Sequence, residues 1–342
     1  MAPVNQETAI EALDYGSSVT FKSPTEIVYL DYFPSQLRAK PPRTAEEKAD
    51  WTRFVCISDT HARTFDVPDG DVLLHSGDLT NLGTEADFQK TAEWLYCLPH
   101  KTKIIIAGNH DLTLHADWYE REWPKWHRRQ QKQNRDKIMD MLKGKKARDA
   151  GLVYLEDEYY EFKIRDSGRV WSVYGSPWSP WFHNGAFNYE REHAKELVAK
   201  FPKTDILLTH GPVHQIFDQV IGGEQVGCEA LRARMPELRP RLHLAGHIHE
   251  AHGAYIHTWD PENNYEAPTI QNDDPRVLSD LTTSDNLPDV KHSNPERERT
   301  VFINAANWPM GNRAKRNITG TLNRKIPFGG PGFQAVVVDL KD

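Results

Sequence analysis

Five short apolar runs in this chain each end in a polar residue, and this repeated feature constrains the fold more than any other. The runs have the length of β-strands, and each leads into Asp, Asn or His, often beside a glycine. They occur in the segments RFVCISDTH, DVLLHSGDLT, KIIIAGNHD, DILLTHG and LHLAGHIH. In an open α/β sheet, ligands bind in the crevice at the carboxyl ends of the strands. The five polar ends are therefore predicted to converge on one point.

The side chains at these ends are of the types that hold divalent metal ions. They are Asp59, His61, Asp78, Asn109, His110, Asp111, His210, His247 and His249. A single histidine at a strand end is more often a surface or core residue than a ligand, but the ordered set favours a metal site. Oxygen and nitrogen ligands without thiolate favour Mn, Fe, Zn or Mg over copper or an iron–sulfur cluster. Mn is the favoured candidate of these four.

A helix is predicted between the second and third apolar runs. Thr84 and Asp87 form a capping-box pattern, in which the hydroxyl and the acid satisfy free backbone N–H groups at a helix start. Apolar residues then recur at helical spacing up to about Leu98. The order strand, helix, strand at this spacing predicts a βαβ unit.

The 342 residues are enough for one large α/β domain with insertions. One domain is favoured because the polar strand ends follow one another without a linker-like break. Residues 1–50 are interpreted as an N-terminal extension with an edge strand at 27–33, and residues 51–342 as the domain. Two insertions are predicted within the domain, a basic helical segment at 114–148 and a polar loop at 258–299.

The charge and hydropathy of the chain argue against nucleic acid and membrane as partners. A net charge of −7 argues against a nucleic-acid-binding surface, which needs a basic excess. Residues 118–148 are locally basic, and this segment either guides an anionic substrate or forms a solvated helical face. No stretch of about 18 apolar residues occurs, and the first 20 residues lack a signal-like apolar run. The sequence therefore predicts a soluble, cytoplasmic protein without a membrane or nucleic-acid partner.

The segment GSPWSPWFHNGAFN, residues 175–188, contains four aromatic residues and two prolines. This composition is typical of a rigid aromatic pocket wall or of a loop folded onto the core. Pockets combine apolar surface with a few placed polar groups, so His183 and Asn184 are candidate substrate contacts. Asn304, close to the C-terminal end of the chain, is a third candidate.

Taken together, the blocks SDTH, SGD, AGNHD, THG and AGHIH match in order the motif pattern of the calcineurin-like metallophosphoesterases. The chain resembles this superfamily over about 190 residues. The stretches GSPWSPWFHNGAFN, VGCEALRARMPELRPRLHLAGHIHE and FINAAN further resemble the metallophosphoesterase domain-containing branch, whose members are similar to class III phosphodiesterases. The resemblance implies a four-layer α/β/β/α sandwich with two central mixed β-sheets.

The resemblance also implies two divalent metal ions held by seven of the side chains at the strand ends, which are the candidate ligands. The two sets of three are Asp59, His61 and His249 for one ion, and Asn109, His210 and His247 for the other. Asp78 is expected to bridge both ions, because two cations about 3.5 to 4 Å apart repel unless an anionic oxygen lies between them. A bridging water, acidified to hydroxide by both ions, is the expected nucleophile for in-line attack on phosphorus.

Two further residues receive catalytic roles by the same resemblance. His110 is expected to protonate the leaving oxygen, because its neighbour Asn109 is drawn to a metal and leaves the imidazole in the cleft. Asp111 is expected to orient that imidazole from behind, and a helix-capping role is the alternative for this carboxylate.

The function predicted from the sequence is hydrolysis of a small organic phosphate, with a phosphodiester such as a cyclic nucleotide preferred by resemblance. The alternatives are a phosphomonoesterase for one metabolite or nucleotide, and a nucleotide-binding protein with little turnover. The monoesterase would use the same metal centre, whereas only a diester needs room for two organic groups. The intact set of ligands argues against the binding protein.

Overall fold

The computed structural model describes residues 18–33, 37, 51–129, 131–259, 267–271, 298–311, 314 and 326–342. Seven strands of the described chain form the first sheet. They are β1 (Val19–Lys22), β2 (Glu26–Asp31), β3 (Trp51–Ile57), β4 (Val72–Ser76), β5 (Thr102–Ile106), β6 (Leu152–Leu155) and β15 (Val336–Lys341). Their spatial order is β1-β2-β15-β3-β4-β5-β6. Strands β3 to β6 run parallel, whereas β15 is antiparallel to both of its neighbours.

Among the residues that the structure describes, six strands form the second sheet, which is also mixed. They are β7 (Glu158–Lys163), β8 (Val170–Ser176), β11 (Ile206–Thr209), β12 (Leu242–Ala245), β13 (Gly253–Thr258) and β14 (Arg299–Asn304). Their order is β13-β14-β12-β11-β8-β7, with antiparallel strands at both edges and four parallel strands between them. A short parallel pair, β9 (Ser179–Pro180) and β10 (Asn188–Tyr189), lies in the aromatic segment.

The helices connect the strands on the outer faces of the two sheets. They are α1 (Glu85–Cys97), α2 (Ala116–Trp126), α3 (Arg135–Lys143), α4 (Lys145–Asp149), α5 (Ala194–Val198) and α6 (Glu229–Leu238), with 3₁₀ turns at Arg191–His193 and His249–Ala251. Helix α1 is the helix predicted from the capping box. The Thr84 hydroxyl accepts the Asp87 backbone N–H at 3.1 Å, which satisfies one free donor at the helix start.

Alternate residues of β3 face two different cores, as the period of a strand requires. Phe54 and Cys56 lie in the core that joins the two sheets, together with Leu208 of β11 and Leu244 of β12. This core is dry and continuous between the sheets, because the residues that form it are apolar and buried. Burial of each such side chain contributes about 1.5 to 3 kcal/mol.

The other face of β3 packs on helices. Val55 and Ile57 share a second core with Phe88 and Leu95 of α1 and with Ile138 of α3. These helices therefore cover the outer face of the first sheet.

The outer face of the second sheet is covered in the same way. Leu207 of β11 belongs to a core that contains Val198 of α5 and Leu231 and Met235 of α6. The layers therefore follow the order helix, sheet, sheet, helix, and the predicted α/β class with two mixed sheets is confirmed.

The strand predicted near the N terminus forms, but it is not an edge strand. Strand β2 lies between β1 and β15 and pairs antiparallel with both. Its side chains Val28 and Leu30 are buried, as expected for an interior position. The prediction of an edge was wrong because β15 arrives from the opposite end of the chain, and no local pattern reveals that pairing.

The domain boundaries and the two insertions remain predictions. Helices α2, α3 and α4 occupy the predicted basic helical segment. Most of the predicted polar loop at 258–299 lies outside the described residues, and of its described part Ile270 forms a β-bridge with Ile216. Within the described chain, no helix has the length and apolar character needed to cross a bilayer.

Candidate metal centre

The carboxyl ends of five strands meet where the edges of the two sheets come together. Strands β3, β4 and β5 are neighbours in the first sheet, and β11 and β12 are neighbours in the second. The Ser76 hydroxyl at the end of β4 joins the sheets, since it donates to the Thr209 carbonyl at 2.7 Å and lies 3.3 Å from the Leu244 carbonyl. The two sets of strand ends therefore face each other across a short polar gap.

Four of the predicted ligands converge on one side of this gap. One ligand atom from each of Asp59, His61, Asp78 and His249 can be chosen so that all four atoms lie within 4.8 Å of one another. His249 Nε2 lies 3.1 Å from Asp59 Oδ1 and 3.3 Å from His61 Nε2. This spacing leaves the nitrogen and oxygen atoms aimed at a shared point.

The protonation of this group fits a site for a cation. Burial lowers the pKa of His61 to about 4, despite the nearby carboxylates of Asp78 and Asp59, so the ring is neutral at pH 7. Burial alone would raise the pKa of Asp59, but the hydrogen bond and charge of His249 hold it well below its usual range. For His249, burial opposes protonation, and the Asp59 carboxylate outweighs burial and raises the pKa.

The other three predicted ligands gather on the second side of the gap. His210 Nε2 lies 2.9 Å from Asn109 Oδ1, and its Nδ1 lies 2.9 Å from the Ser76 carbonyl oxygen. The backbone carbonyl fixes the ring, because it accepts a proton from Nδ1 and leaves Nε2 directed at the gap. The His247 ring centroid is 4.9 Å from that of His210, and burial lowers the pKa of His247 to about 3.

Asp78 stands between the two groups and directs one oxygen toward each. Its Oδ2 lies 3.7 Å from His61 Nε2, and its Oδ1 lies 3.4 Å from His210 Nε2. Burial would raise the pKa of Asp78, but His210 and the other histidines lower it. A carboxylate with one oxygen on each side is the arrangement that a bridge between two cations requires.

The residues fit a divalent metal centre on the chemistry of their donor atoms. The Nε2 atoms of His61 and His249 face each other at 3.3 Å, close enough for both to bind one cation. Asp59 and Asp78 add two buried carboxylates that need positive charge nearby. Imidazole, carboxylate and amide oxygen together suit first-row divalent ions.

Two glycines allow the strand ends to approach this closely. A Cβ on Gly108 would lie 2.3 Å from Asp78 Oδ1 and 2.7 Å from His210 Cε1. A Cβ on Gly246 would lie 2.2 Å from Asp59 Oδ2. Any larger residue at either position would displace a carboxylate from the centre.

Four candidate ligands have left-handed backbone conformations. The φ angles are 56° for Asp59, 47° for His61, 52° for Asp78 and 68° for His247. Each such angle in a residue other than glycine costs on the order of 1 to 3 kcal/mol. Hydrogen bonds hold two of the four turns, from Asp59 N–H to the Gly77 carbonyl at 3.0 Å and from His61 N–H to the Asp78 carbonyl at 3.0 Å.

His110 lies at the edge of the centre. Its backbone N–H donates to Asp78 Oδ1 at 2.8 Å, and its ring centroid is 4.7 Å from that of His61. Its Nδ1 lies 2.8 Å from the Asn81 carbonyl oxygen, which accepts the Nδ1 proton and fixes the ring. Nε2 is left to act toward the cleft.

The structure corrects the prediction that Asp111 orients the His110 ring. Both Asp111 oxygens are engaged elsewhere: Oδ2 accepts the N–H groups of Leu79 and Gly108 at 3.1 and 2.8 Å, and Oδ1 accepts the N–H and hydroxyl of Thr80 at 2.9 and 2.7 Å. The Asn81 carbonyl oxygen holds the His110 ring instead. Asp111 therefore ties the loop after β4 to the loop after β5. Burial and the Asp78 charge raise the pKa of Asp111 to about 7, against these hydrogen bonds.

The prediction that Asn304 contacts a substrate is also wrong. Its side chain is 0% exposed. The amide nitrogen donates to the Phe217 and Ile248 carbonyls, each at 3.0 Å, and the amide oxygen accepts the Ala306 N–H at 3.0 Å. With both ends of the amide occupied inside the core, Asn304 holds β14 against the loop that carries His249.

His183 and Asn184 lie in the aromatic segment beside the second group of ligands. The exposed His183 ring is 4.4 Å from that of Phe182, which in turn is 5.5 Å from the His247 ring. Asn184 donates to Glu122 Oε2 on α2 at 3.1 Å, so its amide anchors the loop. Their contact with a substrate remains a prediction.

Three residues near the centre were not among the candidate site residues. Phe182 is 49% exposed beside His247, and the Trp308 ring lies 5.2 Å from the His61 ring. Arg63 has its guanidinium 4.2 Å from the Trp308 ring centroid. The position of Arg63 two residues after His61 was the signal available in the sequence, and the aromatic composition of residues 175–188 was the signal for Phe182.

Comparison with known proteins supports this geometry. The profile described as Calcineurin-like phosphoesterase matches residues 52–251. Metallophosphoesterase domain-containing protein 1 of Homo sapiens is 37% identical over 261 residues, which cover 72% of this chain and 76% of that protein. A UPF0046 protein of Caenorhabditis elegans is 34% identical over 220 residues, covering 60% of this chain and 53% of that protein. A probable rhamnogalacturonate lyase C of Emericella nidulans is 36% identical over 218 residues, covering 63% of this chain and 19% of that protein.

The matched region contains all seven candidate ligands and both sheets contribute to it. The family profile spans more than half of the chain, and the human relative is similar over most of both lengths. With the cluster of buried carboxylates and imidazoles, these matches identify a metal-dependent phosphoesterase. The chain belongs to the calcineurin-like phosphoesterase family, in its metallophosphoesterase domain-containing branch.

Proposed function

We propose that the chain hydrolyses a small organic phosphodiester, such as a cyclic nucleotide, at a centre of two divalent metal ions. The observation that carries this proposal is the placement of Asp78, whose two oxygens face His61 on one side and His210 on the other. A single-ion site would not need a buried carboxylate with both oxygens directed at separate groups of ligands.

Six side chains would complete the two coordination shells around Asp78. They are Asp59, His61 and His249 for one ion, and Asn109, His210 and His247 for the other. Two ions held there would supply an acidified water near neutral pH and would neutralise charge on the phosphoryl oxygens. Manganese is the proposed metal.

His110 is proposed to deliver the proton to the leaving oxygen. The Asn81 carbonyl accepts from Nδ1 at 2.8 Å, which leaves Nε2 as the ring atom that can carry a proton to the leaving oxygen. The backbone bond from His110 to Asp78 Oδ1 at 2.8 Å keeps the ring beside the centre. Nε2 is therefore the proton-donating atom in this mechanism.

The surroundings of the centre favour a diester over a monoester. Trp308 borders the His61 side, and Phe182 borders the His247 side. Trp181 and Phe182 are 54% and 49% exposed, which leaves aromatic surface available to a ligand. Aromatic surface on two sides suits a phosphate with an organic group on each side, and planar bases stack on such rings.

The experiment is to measure metal content and turnover together. Protein loaded with manganese is expected to hydrolyse bis(p-nitrophenyl) phosphate and cyclic adenosine monophosphates faster than p-nitrophenyl phosphate. Asp78→Asn is expected to lose bound metal and at least a thousandfold in kcat/KM, because the charge that holds two cations together is removed. Asp66→Asn, the same change at an exposed loop position, serves as the control and is expected to retain both.

Three outcomes separate the readings of this site. Full activity in excess chelator would contradict the metal mechanism. A clear preference for p-nitrophenyl phosphate would instead establish a phosphomonoesterase. Tight nucleotide binding without turnover by the metal-loaded protein would establish a binding function.

A further inference from the structure

We propose that Arg63 and Trp308 form an anion subsite at the rim of the metal centre, which binds a second negatively charged group of the substrate. The substrate class is therefore a phosphate ester that carries another phosphate or a carboxylate next to the ester that is cleaved. This inference rests on the proposed phosphoesterase function and adds a determinant of specificity to it.

The guanidinium of Arg63 is held by stacking on aromatic rings. Its Cζ lies 4.2 Å from the ring centroid of Trp308 and 5.9 Å from that of Phe328. The two rings meet edge to face with centroids 6.0 Å apart. A guanidinium at 4.2 Å from an indole is within the range of a cation–π interaction. The stack orients the planar group without using its N–H donors.

The loop that carries Arg63 is fixed to the metal centre by its backbone. The N–H of Arg63 donates to the Thr60 carbonyl at 2.8 Å, and the N–H of Ala62 donates to the Leu79 carbonyl at 2.9 Å. His61, two residues earlier, donates its N–H to the Asp78 carbonyl at 3.0 Å. Arg63 is therefore displayed from the same rigid turn as two of the candidate ligands.

The guanidinium carries a charge that the surrounding protein leaves available. The side chain is exposed, and over the stretches that the structure describes no carboxylate lies within ion-pairing distance of it. Five donors in a planar fork match a carboxylate or phosphate in a bidentate arrangement. The chain as a whole has a net charge of −7, so a guanidinium at this position gives the rim of the centre a local attraction for an anion.

The position of Trp308 sets which part of a substrate Arg63 meets. The Trp308 ring is 5.2 Å from the His61 ring and 6.1 Å from the His249 ring, and Arg63 lies against the same indole. Arg63, His61 and His249 therefore neighbour the same indole, which places the guanidinium at the rim of the site that would hold the metal. The phosphate being cleaved would occupy the metal ions, so Arg63 meets a neighbouring group of the same molecule.

The test compares pairs of substrates in which one member carries a second negative charge. One pair is thymidine 5′-(p-nitrophenyl phosphate) with and without a 3′-phosphate. The other pair is phenyl phosphate and 4-carboxyphenyl phosphate. For the manganese-loaded protein, the member with the extra anion is expected to have a kcat/KM higher by about tenfold, mostly through a lower KM.

Substitutions then test whether the preference for the substrate with the second anion depends on Arg63 and Trp308. Arg63→Ala is expected to remove the preference, and Arg63→Lys to restore part of it, because an ammonium keeps the charge but loses the bidentate fork. Trp308→Leu is expected to reduce the preference without removing it, since the guanidinium keeps its charge but loses its support. Lys90→Ala, which removes one charge from the exposed face of α1, is the control and is expected to keep the wild-type ratio.

A preference in one pair only would support the subsite and identify the kind of anion. Equal kcat/KM within both pairs for the wild type, or an unchanged ratio in Arg63→Ala, would overturn it while leaving the phosphoesterase intact. Hydrolysis of neither member of either pair by the metal-loaded protein would refute the proposed function and the subsite with it.

Discussion

Replacement of Asp111 by asparagine tests whether this carboxylate organises the site or takes part in the chemistry. Asp111 accepts four hydrogen bonds, two at each oxygen, from the backbone of Leu79, Gly108 and Thr80 and from the Thr80 hydroxyl. All four donors come from the two loops that carry Asp78 and Asn109. Asp111→Asn keeps the shape of the side chain and replaces one accepting oxygen by a donating NH₂ group.

The magnitude follows from the orientation that the new amide can best adopt. In this orientation the amide oxygen accepts the N–H groups of Leu79 and Gly108, and the NH₂ group faces Thr80. The Thr80 hydroxyl can rotate to accept a hydrogen bond from that NH₂ group. The Thr80 N–H is then a buried donor without an acceptor, which costs about 1 to 3 kcal/mol. The two bonds that remain change from a charged to a neutral acceptor, at about 1 kcal/mol each. The neutral amide also removes the burial cost and the Asp78 repulsion that raise the pKa of Asp111, which offsets part of this sum, so the expected loss of unfolding free energy is about 1 to 3 kcal/mol.

The assay is urea denaturation of metal-free protein at pH 8, followed by circular dichroism. This pH lies above the value of about 7 to which burial and Asp78 raise the pKa of Asp111, so the wild-type group is ionised. Asp66→Asn, at an exposed loop position, is the matched control and is expected to change stability by less than about 0.5 kcal/mol. A variant Asp111→Asn with wild-type stability and a reduced kcat would refute the structural role and restore the catalytic one.

Three further predictions concern proton donation by His110, the close packing of Gly108 against Asp78, and the loss of folding stability at acid pH. His110→Ala is expected to retain metal, measured by elemental analysis, and to lose about 10²- to 10⁴-fold in kcat, most of all for substrates with poor leaving groups; unchanged kcat for such substrates would exclude the proton-donor role. Gly108→Ala is expected to lose bound metal with little change in circular dichroism, because the new Cβ would lie 2.3 Å from Asp78 Oδ1; a variant with full metal content would show that the loops can move apart. Burial lowers the pKa of His243 to about 3, below the value near 6.5 in the unfolded chain, so the unfolded state binds the extra proton and stability falls as the pH falls from about 6.5 toward 4. His243→Gln is expected to reduce the slope of unfolding free energy against pH by about 1.4 kcal/mol per pH unit in this range, whereas His193→Gln, at an exposed position, is expected to keep the wild-type slope.

The parts of the fold that could be predicted are those marked by short sequence patterns, such as strand ends and helix starts. Apolar runs that end in Asp, Asn or His marked five strand ends, and parallel strands bring such ends to one edge of a sheet. The capping box at Thr84 marked the start of α1, because the first backbone N–H groups of a helix need acceptors from nearby side chains. In contrast, the interior position of β2 depends on β15, which comes from the other end of the chain.

The roles of individual site residues were harder to predict than their presence. Asp111 follows His110 directly, and spacing alone cannot show whether a carboxylate faces the neighbouring ring or turns back to cap two loops. Asn304 ends a strand near the site as the candidate ligands do, yet its amide is consumed by the Phe217 and Ile248 carbonyls. Arg63 and Trp308 come from distant parts of the chain, and no spacing rule brings them together.

The left-handed turns at the candidate ligands have a consequence for how the centre acquires its ions. The folded chain bears the energetic cost of these turns whichever ion is bound, because hydrogen bonds within the chain hold the backbone there. Ligands that are fixed by their own backbone would accept different divalent ions without rearrangement. The concentrations of those ions around the protein would then decide which one is bound.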